Sequence, residues 1–428
     1  MPPPNRGINL RHSFRLCPGT VLLFFLLTGC DGTGSGIDPD PTAPPDPSPS
    51  AEDARPAPDS GTGDEEIPAE DPPAEDSTAE DSTAEDSTAD DPPGDDPPVS
   101  PPAPEPAGPG FSSLYPGDAG ISAHRSVIFH SGFESGFGDW TRTIGSGDQL
   151  SVAEDAAAAN GGTGFMRTAV TRTELLQRGE VDVLARYELA TGVPELYWRF
   201  HARFVGQTAV PHHWVRVGAG VPSWNRDGRS GTVPGGDEGM YFDLDARDDG
   251  TFSFYTYWHE MRSWICNDGS TNPGCEGYRS SSTPYWGNHF HPAGQAAFPR
   301  DEWFCVEIRA KLNTVGAADG ELAFWINNQL AGEYRQGAPR GRWLRSSFHS
   351  HGEYFRDEQG FPGFSFRTVE NFGLKAVTLD AYYSRDNLQR QENAGIPVPE
   401  EQEIHYDDVV VATERIGCRV PPAAVVAR

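Results

Sequence analysis

Hydrophobic and polar residues alternate with a period of two through most of the chain beyond residue 111. Segment 195–204 has one apolar face and one polar face, and the apolar face carries Leu196, Trp198, Phe200, Ala202 and Phe204. The same alternation occurs at 240–245, 304–312, 322–330, 373–383 and 404–412. It predicts strands with one buried face. Many such strands, separated by turn residues, predict an all-β sandwich of two antiparallel sheets.

Segment 253–259, SFYTYWH, places unusual side chains on one face of a predicted strand. Phe254, Thr256 and Trp258 form a face suited to burial. The opposite face carries Ser253, Tyr255, Tyr257 and His259. Two phenols and an imidazole in a row fit a catalytic strand, a platform that stacks on sugar rings, or the solvated side of a sheet.

The N-terminal segment has a different pattern. The apolar run 21–27 follows a basic stretch and is too short for a transmembrane helix, so it indicates an export signal. The sequence LTGC, which ends at Cys30, resembles the bacterial lipobox. That resemblance implies a lipoprotein signal peptide over 1–29 and lipidation of Cys30. We therefore expect an exported protein, anchored by lipid to the bacterial cell envelope at the outer membrane or cell surface.

Residues 30–110 are rich in Pro, Asp, Glu, Ser and Thr and contain three AEDST repeats. Such a composition cannot bury enough apolar surface to offset its ordering entropy, so we expect a disordered linker. It carries most of the net charge of −30, which therefore says little about the domain predicted over 111–428. The chain has no basic stripe or nucleic-acid motif, and we expect a monomer that does not bind nucleic acid.

Four cysteines remain once Cys17 leaves with the signal and Cys30 takes lipid. Four cysteines allow three pairings. Cys266 and Cys275 bracket a loop rich in Gly, Pro and Asn, so we expect them to pair locally. Cys305 lies in a strand pattern and Cys418 at the end of the last one, and we expect these two to pair, although the sequence alone does not choose among the pairings.

Metal sites have little support in the sequence. The cysteine spacings do not suit zinc. Two His-x-His pairs, one at His289 and His291 in a predicted loop and one at His349 and His351, offer too few ligands. We predict neither a metal nor a cofactor.

The order of several segments carries a resemblance to a known fold. The opening VIFHSGFESGFGDW (127–140), the run DEWFCVEIRAKLNTVGAADGELAFWINNQLAGEY (301–334) and IHYDDVVVATERIG (404–417) resemble the concanavalin A-like jelly rolls. Among these, the chain looks most like the polysaccharide lyases that act on alginate and glucuronan. The resemblance spans roughly 125–420 and implies β-elimination on a uronic acid polymer.

Such a lyase neutralises the sugar carboxylate, removes the neighbouring proton with a base and protonates the leaving oxygen with an acid. The stretch RTEL at 172–175 resembles a strand motif of one alginate lyase family. This implies that Arg172 neutralises the carboxylate and that Glu174 positions it. An ordinary strand with one ion pair is the alternative.

The acid and base candidates come from two partial resemblances. A Tyr-x-Tyr strand of a second lyase family implies acid/base roles for Tyr255 and Tyr257. His213 and Arg216 are the nearest substitutes for a Gln-x-His strand that the chain lacks. We place His213 among the acid/base candidates, and we expect Arg216 to engage the carboxylate together with Arg172. His259, Lys375 and Tyr382 are further substrate-binding candidates.

The favoured function is therefore a lyase that cleaves an acidic extracellular polysaccharide. The alternative is a non-catalytic, lectin-like surface protein that binds glycan through the same face, because a fold of this type serves both functions. A glycoside hydrolase is disfavoured, since the stretch EVDVLA at 180–185 lacks the final glutamate of a paired-carboxylate strand.

Overall fold

The structure is a computed structural model, and it describes residues 108–145, 147–223, 231–266, 268–270, 275–277, 285–350 and 359–421. The predicted signal peptide 1–29, the lipidation of Cys30, the linker 30–110 as far as residue 107, and His351 lie outside the described residues. Within the described part, no helix is long and apolar enough to span a membrane.

Two large sheets make up the fold. Sheet A contains β1 (Val127–Ser131), β3 (Leu150–Glu154), β4 (Gly164–Thr171), β7 (Glu195–Phe204), β12 (Phe304–Lys311), β13 (Glu321–Ile326), β14 (Gln329–Tyr334) and β20 (Glu401–Ala412). Its strand order is β14-β13-β12-β7-β20-β4-β3, with β1 also paired to β20.

Sheet B contains β2 (Arg142–Ile144), β6 (Leu184–Val193), β8 (Val215–Gly220), β9 (Gly239–Ala246), β10 (Phe252–Tyr257), β11 (Asn288–His291), β15 (Arg340–Leu344), β16 (Ser347–His349), β17 (Gln359–Gly360) and β18 (Gly373–Asp380). Its order is β17-β15-β16-β11-β10-β9-β8-β18-β6-β2. A small sheet pairs β5 (Glu180–Val181) with β19 (Tyr383–Ser384), and the helices are α1 (Arg172–Arg178) and α2 (Arg385–Asn393).

The chain crosses repeatedly between the two large sheets, from β7 to β8–β11, back to β12–β14, and again to β15–β18 before β20. The named strand pairs are antiparallel except for β11 and β16, which run parallel. The predicted all-β jelly-roll sandwich of antiparallel sheets is confirmed.

The core lies between the sheets. The apolar face predicted for β7 is fully buried there. From sheet B, Phe254 reaches across the sandwich to stack edge-on against Phe324 of β13, with ring centroids 5.3 Å apart. Because Phe254 points into the core, its neighbours Tyr255 and Ser253 must point to the opposite face of sheet B.

The outer face of sheet A is not the solvated face that the alternation suggests. Arg199 of β7 is fully buried, and its guanidinium donates to Asp118 Oδ2 over 2.6 Å. The segment Phe111–Ala123 folds over this face in short 3-10 turns and seals it with Phe111 and Ile121.

Several predicted strand limits are wrong. Segment 322–330 is not one strand, because Asn327 and Asn328 both take positive φ and turn the chain into the β13–β14 hairpin. Segment 373–383 ends its strand at Asp380, and 253–259 ends at Tyr257. His289 and His291 lie in strand β11, not in a loop.

The stretch 172–175 is helical, which corrects the predicted strand. Thr171 caps the helix by accepting from the Glu174 N–H, and Gly179 ends it with a positive φ of 88°. Thr-x-x-Glu followed by a glycine is a helix signal that the strand motif obscured.

Both predicted disulfides are confirmed. Cys266 bonds to Cys275, and Cys305 bonds to Cys418. The second bond ties the segment after β20 to β12 across a sequence separation of 113.

Candidate functional site

A polar row crosses the face of sheet B that points away from the core. In the strand register, His289, Tyr255, Asp243, Arg216, Thr378 and Arg186 stand opposite one another on six neighbouring strands. Directly opposed residues share a face of the sheet, and neighbouring strands lie about 4.8 Å apart. Side chains from distant parts of the sequence are thereby brought side by side.

Aromatic rings contact one another in and beside this row. Tyr255 lies between His213 and His289, with ring centroids 4.8 Å from each. Next to it, Tyr257 stacks on Tyr241 at 4.8 Å. The hydroxyl groups of Tyr255 and Tyr257 are 3.4 Å apart.

The two phenols of β10 are well covered. Tyr255 is 5% exposed and Tyr257 is 2% exposed. The backbone N–H of Gly287 donates to the Tyr255 hydroxyl over 2.9 Å. The two phenols are therefore not solvated, although they lie on the face of sheet B that points away from the core.

Arg216 is clamped by Asp243. Its Nε donates to Asp243 Oδ1 over 2.6 Å and its terminal nitrogen to Oδ2 over 3.3 Å, while the guanidinium lies 4.7 Å from the Tyr241 ring centre. Burial acts to lower the pKa of Arg216, but the carboxylates of Asp243 and Asp380 outweigh it and raise the pKa well above its ordinary value. The guanidinium is therefore a permanent cation, 16% exposed.

His213 lies beside the row and is also partly exposed, with a side chain that is 16% exposed. Its Nδ1 lies 3.2 Å from Asp245 Oδ2. Burial acts to lower the pKa of His213, whereas Asp245 raises it, and the net result is a raised pKa. The His213 ring also stacks on the ring of the half-buried Tyr382. The ring centroids are 5.9 Å apart and the ring planes are inclined by 14°.

Buried carboxyl groups lie beneath the row. Burial raises the pKa of Asp380 well above its usual range, and a hydrogen bond with Asp182 raises it further. Arg216 acts in the opposite direction and lowers the pKa of Asp380, but burial outweighs this effect.

Sequence reasoning did not place Tyr241, Asp243, Asp245, His289 and Asp380 in the site. The signal for three of them was present in the segment MYFDLD. Its alternation puts Tyr241, Asp243 and Asp245 on one face opposite Met240, Phe242 and Leu244. Carboxylates that are buried within a sheet need cationic or hydrogen-bonding partners on the neighbouring segments. Arg216 and His213 are those partners.

One cluster among the described residues offers atoms that could hold a metal ion. His213, Asp243 and Asp245 each contribute one, all within 4.8 Å of one another. Hydrogen bonds from Arg216 and His213 already engage both carboxylates, so the geometry is accounted for by these bonds. Of the histidines considered for a metal in the sequence, His289, His291 and His349 lie on neighbouring strands.

Other predicted residues lie apart from the Arg216–Tyr255 row. Arg172 begins α1 and its Nε donates to Glu392 Oε1 over 2.8 Å, while Glu174 accepts from Gln149 and Arg178. Lys375 donates to the carbonyl oxygens of Val221 and Pro222. His259 lies beyond the end of β10, against Gly236.

Tyr382 reaches the site from the β18–β19 connection. Its backbone pairs with that of His213, and its hydroxyl donates to Glu180 Oε2 over 2.7 Å. Of the substrate-binding candidates, Tyr382 is the one that contacts His213.

No protein-family model and no curated protein matches the chain. Among solved structures, it is similar to an alginate lyase from a Chlorella virus, with 11% identity, coverage of 67% of this chain and 99% of that chain, and a TM-score of 0.40. It is also similar to the endo-β-1,4-glucuronan lyase of the fungus Trichoderma reesei, with 13% identity, coverage of 67% and 96%, and a TM-score of 0.37.

An alginate lyase from Aplysia kurodai is similar in the same way, with 14% identity, coverage of 67% and 97%, and a TM-score of 0.39. Likenesses this distant carry no argument about activity. The function is therefore argued from the side chains of sheet B.

Proposed function

We propose that this chain is a polysaccharide lyase that cleaves an acidic, uronic acid polysaccharide such as alginate or glucuronan by β-elimination. The observation that carries the proposal is the convergence of Arg216, His213 and Tyr382 on one face of sheet B, each with exposed surface. They supply the cation, the base and the acid that elimination requires.

Arg216 would engage the sugar carboxylate. Asp243 occupies Nε and one terminal N–H, and a guanidinium has five N–H donors in a rigid fork. The fork can therefore hold a second carboxylate while staying fixed. A neutralised carboxylate makes the adjacent carbon-bound proton more acidic, because charge that develops in the transition state is stabilised.

His213 would take that proton. The electron pair of the broken C–H bond forms the new carbon–carbon double bond, and the C–O bond to the leaving sugar breaks. Tyr382 would protonate the leaving oxygen. The carboxylate of Glu180 accepts from the Tyr382 hydroxyl and so favours the protonated phenol, the state in which an acid must begin.

Tyr255 and Tyr257 would support the three reacting side chains without contacting the substrate themselves. The burial of both rings and the stacking of Tyr255 on His213 suit them to hold the imidazole in place. The N-terminal pattern supports an exported, lipid-anchored enzyme that meets its polymer outside the cell.

The test is to incubate the full chain with alginate, glucuronan and a neutral glucan and to follow the absorbance of unsaturated uronides. We expect a signal on a uronic acid polymer, and a loss of about 10²- to 10⁴-fold in His213→Gln. His124→Gln is the matched control, since His124 packs on Phe111 away from the site. A flat trace on every polymer with retained binding would instead indicate the lectin-like function.

A further inference from the structure

Two buried carboxylates, Asp243 and Asp245, project from β9 toward the same face. Carboxylates are rarely buried unless a partner holds them. Each of these two carboxylates therefore needs a partner. Their contacts show that the two partners differ.

Asp243 belongs to Arg216, as the two hydrogen bonds between them show. The His213 Nδ1 lies 3.6 Å from Asp243 Oδ2, which is beyond hydrogen-bond distance. Asp243 therefore neutralises and orients the guanidinium, and it is not the partner of the imidazole.

Asp245 belongs to His213. Its Oδ2 is 3.2 Å from His213 Nδ1, and its Oδ1 accepts from the backbone N–H of Trp214 over 3.0 Å. Trp214 is fixed in the core, where its Nε1 donates to the Tyr406 hydroxyl over 2.8 Å. The carboxylate is thus anchored on one side by rigid backbone and presents its other oxygen to the imidazole.

An ionised carboxylate accepts hydrogen bonds and donates none. The nitrogen that faces Asp245 must therefore carry the proton in neutral His213, which leaves the lone pair on Nε2. We propose that Asp245 is a positioning residue that holds His213 in the Nδ1–H tautomer, so that Nε2 is the base of the elimination. The role as base rests on the proposed function, whereas the tautomer does not.

The tautomer is measured by ¹⁵N NMR on the full chain with ¹⁵N-labelled histidine, with the His213 signals assigned by their loss in His213→Gln. The expected result is a protonated Nδ1 and an unprotonated Nε2 at a pH where the ring is neutral. A protonated Nε2 in the unchanged protein would overturn the proposal without any variant.

Asp245→Asn gives the second readout. Asparagine can keep the Trp214 bond through its oxygen while its NH₂ faces the imidazole, which reverses the tautomer. We expect kcat to fall about 10²-fold or more with KM changed by less than about threefold, because only proton transfer is impaired. Asp245→Glu restores a carboxylate and should restore the Nδ1–H tautomer, and Asp139→Asn, an exposed site, should change neither quantity.

An Asp245→Asn protein that keeps both the tautomer and kcat would refute the positioning role. If no polymer is cleaved by any version of the protein while the tautomer responds as expected, the lyase proposal fails and the Asp245–His213 relationship stands. If Asp245→Asn does not fold, the tautomer measured by ¹⁵N NMR in the unchanged protein and in Asp245→Glu decides the question.

Discussion

Tyr255 packs its ring directly against the backbone of Gly287, and the Gly287 N–H donates to its hydroxyl over 2.9 Å. A Cβ atom at Gly287 would lie 2.5 Å from the Tyr255 Cζ, closer than the two atoms can approach. Glycine is thus required here by close approach, and it holds the phenol under His213.

Gly287→Ala should therefore displace the Tyr255 ring and disturb the imidazole stacked on it. We expect an overpacking cost of about 1–3 kcal/mol in the free energy of unfolding, together with a loss of activity. Thermal unfolding and initial rates check this against Gly138→Ala, where a Cβ meets open space. Equal behaviour of the two variants would show that the contact is dispensable.

Arg216 and Arg172 offer a matched comparison of two arginines. Arg216→Lys loses the forked contact with Asp243, so we expect kcat/KM to fall about 10²-fold, as for the removal of one electrostatic donor. Arg172→Lys should stay within about threefold, because Arg172 lies apart from the row, in a partly exposed ion pair with Glu392. A larger loss of kcat/KM in Arg172→Lys than in Arg216→Lys would indicate that Arg172 binds the sugar carboxylate.

The two disulfides should contribute unequally to stability. In the chain-entropy account, the bond between Cys305 and Cys418, with a separation of 113, contributes about 5 kcal/mol, and the bond between Cys266 and Cys275, with a separation of 9, about 2.5 kcal/mol. Replacing each pair by serines and measuring denaturant unfolding tests the ranking. A greater loss from the shorter loop would contradict it.

Glu403 should make stability depend on pH in the acid range. Burial acts to raise the pKa of Glu403, but hydrogen bonds from His405 and Arg167 outweigh it and lower the pKa to about 2 from an ordinary 4.5. A depressed folded-state pKa means that this contribution is complete above pH 4.5 and is lost as the pH falls to about 2.

Glu403→Gln should accordingly show a smaller fall in the free energy of unfolding between pH 4.5 and 2 than the unchanged protein. Denaturant titrations at a series of pH values measure this, with Glu414→Gln at an exposed position as the control. Parallel pH curves for Glu403→Gln and the unchanged protein would refute the assignment.

The sequence predicts the sandwich well because each core strand buries one face, and burial imposes the alternation seen in β7 and β12. It predicts turns less well where two asparagines, Asn327 and Asn328, take over the role of glycine. It also fails at α1, where a capping threonine outweighs the strand-like pattern of RTEL. Capping residues and residues with positive φ set the ends of these elements, and the alternation of apolar and polar residues does not reveal them.

The site was only partly predictable for a different reason. Tyr255, His213 and Arg216 stood out by residue type, but their grouping depends on the register of β8, β9 and β10, which one sequence does not specify. Asp245 looked like one more polar residue of a strand. Its importance arises because the register and the turn before β8 bring its carboxylate to His213.

The most direct test of the account is the mass of the products formed from a uronic acid polymer by the full chain. Elimination adds no water, so we expect each cleavage to leave one unsaturated uronate, at the new non-reducing end, and we expect these products to be absent when His213→Gln replaces the unchanged protein. Saturated products that have gained one water per cleavage would identify a hydrolase and contradict the proposed roles of Arg216, His213 and Tyr382.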